Sequence, residues 1–367
     1  MQSLNRLDTM IYRLLGKVRP VPGDVGIELE IEGHIKPIDT TTYWTFHDEG
    51  SLRGGVEFVL KKPVDLKNLP GALGVLKECL DKSKPVNSLR CSTHIHVNVS
   101  EKSARQIYQF LIVYYLLEPL LIRSQPKKRW ANLFCLDMEH AQEVFHELKR
   151  DITGSKSPFK IFNRDHHRYA ACNLVSIQKF GSIEFRFLDA FTDVTQIFKW
   201  SQTLHRLVDV ASSMSPLQVL KMYDELSVVE FIQHFLGQGS ELVLGSFTAN
   251  QLNRLIYINY DSVFELAHIL HNRKFEMPKE YWEEDAETKS SGSVYLESIA
   301  AWPSTAMEDL ASAVMEDLVA EHFANIHPPI QASAPPPPPP ITGSPWTSVF
   351  TDEAAIEDET ETEEEGF

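Results

Sequence analysis

The chain has 367 residues, 43% of them hydrophobic and 10% aromatic, enough to bury a core without disulfides or metal staples. Acidic residues outnumber basic ones 51 to 35, for a net charge of -16, which argues against non-specific nucleic-acid binding, a property of clustered Lys and Arg. Much of the excess is local, since nine acidic residues fall between Asp352 and Glu365 and no Lys or Arg follows Lys289.

Cys79, Cys91, Cys135 and Cys172 show no C-x-x-C pairing, as expected of a reduced compartment. Residues 1–20 lack the apolar block of a signal peptide. The most apolar run, Ile107 to Ile122, is interrupted by Gln109 and Glu118 and is shorter than a membrane span. A cytoplasmic protein with neither membrane nor nucleic-acid partners is therefore expected.

In chain order, the patterning predicts a helix over 4–15 and a strand over Val25–Ile31. Strands follow at Tyr43–His47 and Val56–Leu60, then a helix at Leu66–Leu80 and a strand at His94–Val99. Ser100 is the expected N-cap of a long helix, Glu101–Ile122. A helix at Ala141–Arg150 and strands at Tyr169–Ile177 and Ser182–Leu188, joined near Phe180-Gly181, complete a first region of about 215 residues. Strands and helices mix without regular βαβ alternation, which favours an α+β fold with a largely antiparallel sheet.

Helices are predicted at Thr195–Met214, Pro216–Tyr223, Val228–Leu236, Thr248–His271 and Met307–Ala324. Residues 216–325 thus read as a helical extension that completes or covers the first region. Residues 326–367, with the Pro335–Pro340 run and the acidic end, read as a disordered linker and tail.

Polar residues at i and i+2 of a strand point to one face. Glu28, Glu30 and Glu32 alternate with Ile27, Leu29 and Ile31; His94, His96 and Asn98 alternate with Ile95, Val97 and Val99. Glu184 and Arg186 share a face of a third strand, and Glu57 stands alone among apolar neighbours in a fourth. One such strand is the ordinary mark of a sheet with one face in water. Four together, holding Glu, His, Asn and Arg, crowd carboxylates that need a cation to offset them. Hard oxygen ligands with little sulfur point to Mg²⁺ or Mn²⁺.

The order Gly26-x-Glu28-x-Glu30, His47-Asp48-Glu49-Gly50-Ser51-Leu52, Gly55-Val56-Glu57, Cys91-Ser92-Thr93-His94-Ile95-His96-Val97-Asn98, Arg168-Tyr169-x-x-x-Asn173 and Ser182-Ile183-Glu184-Phe185-Arg186-Phe187 resembles the amidoligases. These belong to the glutamine synthetase and glutamate–cysteine ligase superfamily of carboxylate–amine ligases. The likeness spans roughly residues 20–210, and the usual Asp-Gly-Ser-Leu is here Asp48-Glu49-Gly50-Ser51-Leu52, with one residue inserted.

The resemblance implies a glutamine synthetase-like curved sheet with helices on one side, and ATP-dependent amide-bond formation through an acyl phosphate. ATP and Mg²⁺, with Mn²⁺ as a substitute, would be required. Glu28, Glu30, Glu57, His94 and Glu184 would ligate metal, with His94 also near the phosphates. Arg186 would hold the transferred phosphoryl group and Arg168 a substrate carboxylate or phosphate. Asn98 and Asn173 would orient polar groups, and His96 would lie on the nucleotide side. Glu32 would be either a further ligand or a solvent-facing residue, the latter being the preferred reading.

The substrates would be a small-molecule or peptide acid and an amine. Gln2 rather than Cys follows Met1, so nitrogen would come from a free amine, ammonia or a separate amidotransferase or peptidase partner. Two other readings compete: a non-catalytic, phage-encoded interaction protein on the same fold, and a metal-dependent oxygenase built on His94 and His96. No G-x-x-x-x-G-K-[ST], G-x-G-x-x-G, G-x-S-x-G or H-E-x-x-H motif occurs.

Overall fold

Six strands, β1 (Val25–Glu32), β2 (Trp44–Asp48), β3 (Gly55–Leu60), β4 (Ser92–Asn98), β5 (Cys172–Asn173) and β6 (Ser182–Leu188), build one sheet in the order β2-β3-β1-β4-β6-β5. Every pairing is antiparallel. This computed structural model describes residues 8–33, 41–82, 85–130, 132–138, 140–141, 144–153 and 169–272. The expected helix at Met307–Ala324, the proline run, the acidic tail and Arg168 lie outside them.

Alternation decides which face is covered. Ile27, Leu29, Ile31, Ile95, Val97, Ile183 and Phe185 are buried on one side, beneath helices α2 (Leu69–Leu80), α3 (Ala104–Arg123) and α6 (Val194–Ser213). The Phe185 ring lies 6.1 Å from that of Phe110 and 5.8 Å from that of Tyr114, both on α3. On α6, the Trp200 ring meets Phe187 edge-on at 5.8 Å. Trp44 Nε1 donates to Ala72 O of α2 at 2.8 Å, tying the edge strand to the helical layer.

Fifteen of the 20 residues of α3 are buried, the pattern of a helix covered on all sides. Its second cover comes from α7 (Pro216–Glu225), α10 (Ala249–Tyr257) and α11 (Tyr260–Asn272), with α8 (Val228–Leu236) packed on α6. Numbered between these in the chain are the short helices α1 (Ile11–Leu14), α5 (Val175–Phe180) and α9 (Glu241–Leu244), and α4 (Val144–Thr153). Among the described residues no helix is long and apolar enough to cross a membrane.

Several boundaries differ from expectation for local reasons. Ser103, not Ser100, caps α3, in a capping box with Gln106; the Ser100 hydroxyl instead accepts from Val21 N at 3.2 Å. The strand expected over Tyr169–Ile177 shrinks to β5, because Asn173 Oδ1 accepts Val175 N at 2.9 Å and turns the chain into α5. The helix expected over Thr248–His271 breaks after Tyr257, where buried Asn259 donates to Tyr115 O of α3 at 2.7 Å. Of the helix expected over 4–15, residues 8–15 are described, and only Ile11–Leu14 are helical, as α1.

Candidate functional site

The polar face runs diagonally across the sheet. His47 pairs with Glu57, Glu57 with Glu30, Glu28 with His94, Glu30 with Ser92, His96 with Glu184, and Glu184 with Asn173. Directly paired residues share a face, so side chains from all six strands meet on one surface. The centre of this face is buried: His94 is 2% exposed and Glu184 4%.

His94 is the hub. Its Nδ1 lies 3.1 Å from Glu28 Oε2 and 3.4 Å from Glu184 Oε1, and its Nε2 lies 2.8 Å from Ser92 Oγ and 3.8 Å from Glu30 Oε2. Ser92 donates its single proton to Glu30 Oε2 at 2.5 Å, so its oxygen accepts from His94 Nε2–H. In that tautomer, assigned from the hydrogen-bond network, the Nδ1 lone pair faces two carboxylate oxygens. Three electron pairs then converge with no proton between them, the arrangement a cation resolves. The ligand atoms of Glu28, His94 and Glu184 all lie within 4.8 Å of one another. One imidazole and two carboxylates fit a divalent ion, and the histidine's other nitrogen is already held by a neighbour, as in metal sites generally.

Around this centre the supports are specific. Glu184 Oε2 accepts from Asn173 Nδ2 at 2.6 Å and Ser176 Oγ at 2.7 Å, and Oε1 accepts from the Arg186 guanidinium. Burial resists its charge, but Arg186, His96 and His94 more than compensate and bring its pKa down to about 2. Glu28 is likewise held well below the usual range: burial opposes ionisation, while the adjacent His94 and His96 imidazoles, protonated at the acid pH where Glu28 titrates, outweigh it. His96 Nε2 makes an ion-pair contact at 3.3 Å with Glu28 Oε1, without hydrogen-bond alignment, and its Nδ1 meets Ser182 Oγ at 3.1 Å. Burial disfavours its cation, yet the Glu184 and Glu28 carboxylates raise its pKa.

Glu57 behaves differently. Burial, together with the charges of Glu28, Glu30 and Glu49, pushes its carboxyl up to about 8.

Sequence reasoning selected Glu28, Glu30, Glu57, His94, His96, Asn173, Glu184 and Arg186, and these come together. Asn98 does not join them: its amide donates to Val21 O at 2.7 Å and Gly23 O at 2.6 Å, and its oxygen accepts Ser100 N. Its hydrogen-bonding capacity goes to the backbone ahead of β1, which corrects the substrate-orienting role expected for it. Glu32 also departs from expectation. It is buried, and its Oε1 accepts Arg53 N at 2.9 Å, holding the β2–β3 turn. Where that turn enters β3, Gly55 is required by space, since a Cβ there would lie 2.6 Å from Ile31 O.

Ser92, Ser176 and Ser182 were missed. Ser92 sits two residues before His94 on the same strand face, so the alternation that selected His94 could have selected it.

A family model described as "Putative amidoligase enzyme" matches residues 65–208. That span carries β4, β5 and β6, hence His94, Asn173, Glu184 and Arg186; Glu28, Glu30 and Glu57 lie outside it. No curated protein matches the chain.

Proposed function

We propose that the protein is an ATP-dependent carboxylate–amine ligase working through an acyl phosphate. The observation that carries this reading is the convergence of Glu28, His94 and Glu184 on one point with Arg186 beside them. The likeness of residues 65–208 to amidoligases supports it independently. The open antiparallel sheet with a carboxylate-bearing face also supports kinship with the glutamine synthetase and glutamate–cysteine ligase superfamily.

In this reading Glu28, His94 and Glu184 hold a divalent ion, Mg²⁺ or Mn²⁺, and Glu30 and Glu57 extend the cradle toward β3. When bound, the ion neutralises polyphosphate charge during phosphoryl transfer. Arg186, its fork engaged with Glu184 on one side, presents guanidinium N–H groups to the phosphoryl group. A substrate carboxylate oxygen takes the γ-phosphoryl group of ATP and ADP leaves. The amine then attacks the acyl carbon, and inorganic phosphate departs with the C–O bond electrons. Asn173 and Ser176 keep the Glu184 carboxylate fixed throughout. The acid and amine are small molecules or peptides, and the nitrogen comes from a free amine, ammonia or a separate protein.

The test is to incubate the full chain with ATP, Mg²⁺ and mixed amino acids and amines, and to follow ADP and phosphate. Amine-dependent phosphate release that Glu28→Gln abolishes supports the proposal. Equal release by wild type and Glu28→Gln overturns it.

A further inference from the structure

Arg129 lies in the short 3-10 turn Lys127–Arg129 after α3 and is 1% exposed. Among the described residues no carboxylate pairs with it. Its guanidinium binds main-chain carbonyls only: Nη2 donates to Arg186 O at 2.5 Å, Nε to Phe187 O at 3.3 Å, and Nη1 to Cys91 O at 3.3 Å. A buried guanidinium without a counter-ion is expensive to keep, so its place needs a reason.

The β4–β6 register supplies one. Ile95 pairs with Phe185 and Thr93 with Leu188, so β6 advances three residues while β4 advances two. An extra residue of this kind leaves backbone groups without ladder partners and re-aims the neighbouring side chains. Arg186 and Phe187, whose carbonyls Arg129 takes, are the residues at that irregularity. Cys91, its third acceptor, immediately precedes Ser92, which bonds Glu30 and lies against His94. One side chain therefore joins the start of the strand bearing His94 to the bulge following Glu184 and bearing Arg186.

We infer that Arg129 is a positioning residue: by bonding the carbonyls of Cys91, Arg186 and Phe187 it fixes the β6 bulge and so sets His94, Glu184 and Arg186 in register with one another. This rests on the metal-cradle reading above for its functional meaning, but its geometry can be read without metal. In Arg129→Lys the charge and stem remain while the three-way fork is lost.

The experiment records imidazole ¹⁵N signals of the metal-free full chain for wild type and Arg129→Lys, then titrates both with Mn²⁺. The expected result is displaced His94 and His96 signals with unchanged His205 and His268 signals, and Mn²⁺ binding weakened about tenfold or more. Unchanged His94 and His96 signals in folded Arg129→Lys overturn the inference. If Arg129→Lys does not fold, Arg129→Gln, which keeps amide donors without the charge, is compared in the same way. Failure of both to fold overturns positioning in favour of a purely architectural role. A wild type that binds no Mn²⁺ overturns the metal reading, while the histidine signals still decide whether Arg129 sets the register.

Discussion

Glu30 and Glu57 face each other directly across β1 and β3. Like charges placed opposite in an antiparallel pair destabilise it, and two relieving partners are visible. Ser92 donates to Glu30, and Glu57 retains its proton up to about pH 8.

A pH dependence follows. Between about pH 4.5 and about 8 folded Glu57 keeps a proton that the unfolded chain releases, so metal-free stability falls as pH rises through this window. Glu57→Gln should flatten that slope in denaturant melts taken from pH 5 to 8. Divalent-ion binding to the wild type at pH 7 should release close to one proton, read by calorimetry in buffers of differing ionisation enthalpy. An identical slope in Glu57→Gln contradicts this account.

The Glu184–Arg186 pair predicts the opposite limb. Glu184 is held down to about 2, so its contribution is complete above its unfolded value near 4.5 and is lost as pH falls toward 2. Arg186→Met leaves a buried carboxylate without its cation, a change costing about 3–5 kcal/mol. The variant should melt earlier at pH 7, and its deficit should shrink in acid as Glu184 takes a proton.

Removing one of the proposed metal ligands should act on metal binding more than on folding. Glu28 is half-buried at the mouth of the cradle, with His94 and His96 as partners. Glu28→Gln should weaken Mn²⁺ binding by about 100-fold or more, beyond the range of supporting residues. Isothermal titration is the measurement, and circular dichroism should show an unchanged fold.

Asn173 serves both stability and geometry, because its amide donates to Glu184 while its oxygen accepts the Val175 backbone. Asn173→Ala should cost about 1–3 kcal/mol through the buried groups left without partners and weaken Mn²⁺ binding about 10–100-fold. Ser176→Ala, which removes one donor to the same oxygen, should show a smaller effect in both measurements. A Ser176→Ala loss larger than that of Asn173→Ala would reverse the ranking of the two supports.

The strands and their chemistry were legible because period-two alternation is local. Glu28 and Glu184 stand between apolar neighbours, and His94 opens the alternation with Ile95, Val97 and Val99, which fixes which way each points. The register was not legible: that Glu30 meets Glu57, or that β6 bulges after Phe185, depends on partners far along the chain. Small hydroxyls such as Ser92 and Ser176 carry no charge signal, so they passed unnoticed despite bonding carboxylates. Asn98 was misread because its partners belong to the Val21–Gly23 loop, which no pattern within β4 reveals. Arg129, in a Lys-Lys-Arg run, looks like solvated surface until the bulge carbonyls beside it are known.

The central position of β1 has a practical consequence for anyone trimming the chain. The stretch that the family model matches begins at residue 65, yet β1, β2 and β3 all precede it, and β1 is hydrogen-bonded on both edges. A fragment cut to that stretch would open the β4 edge to pairing with other chains and, by losing α7, α10 and α11, strip one side of α3. Such a fragment should aggregate rather than fold: the span that similarity outlines is not an autonomous piece of protein.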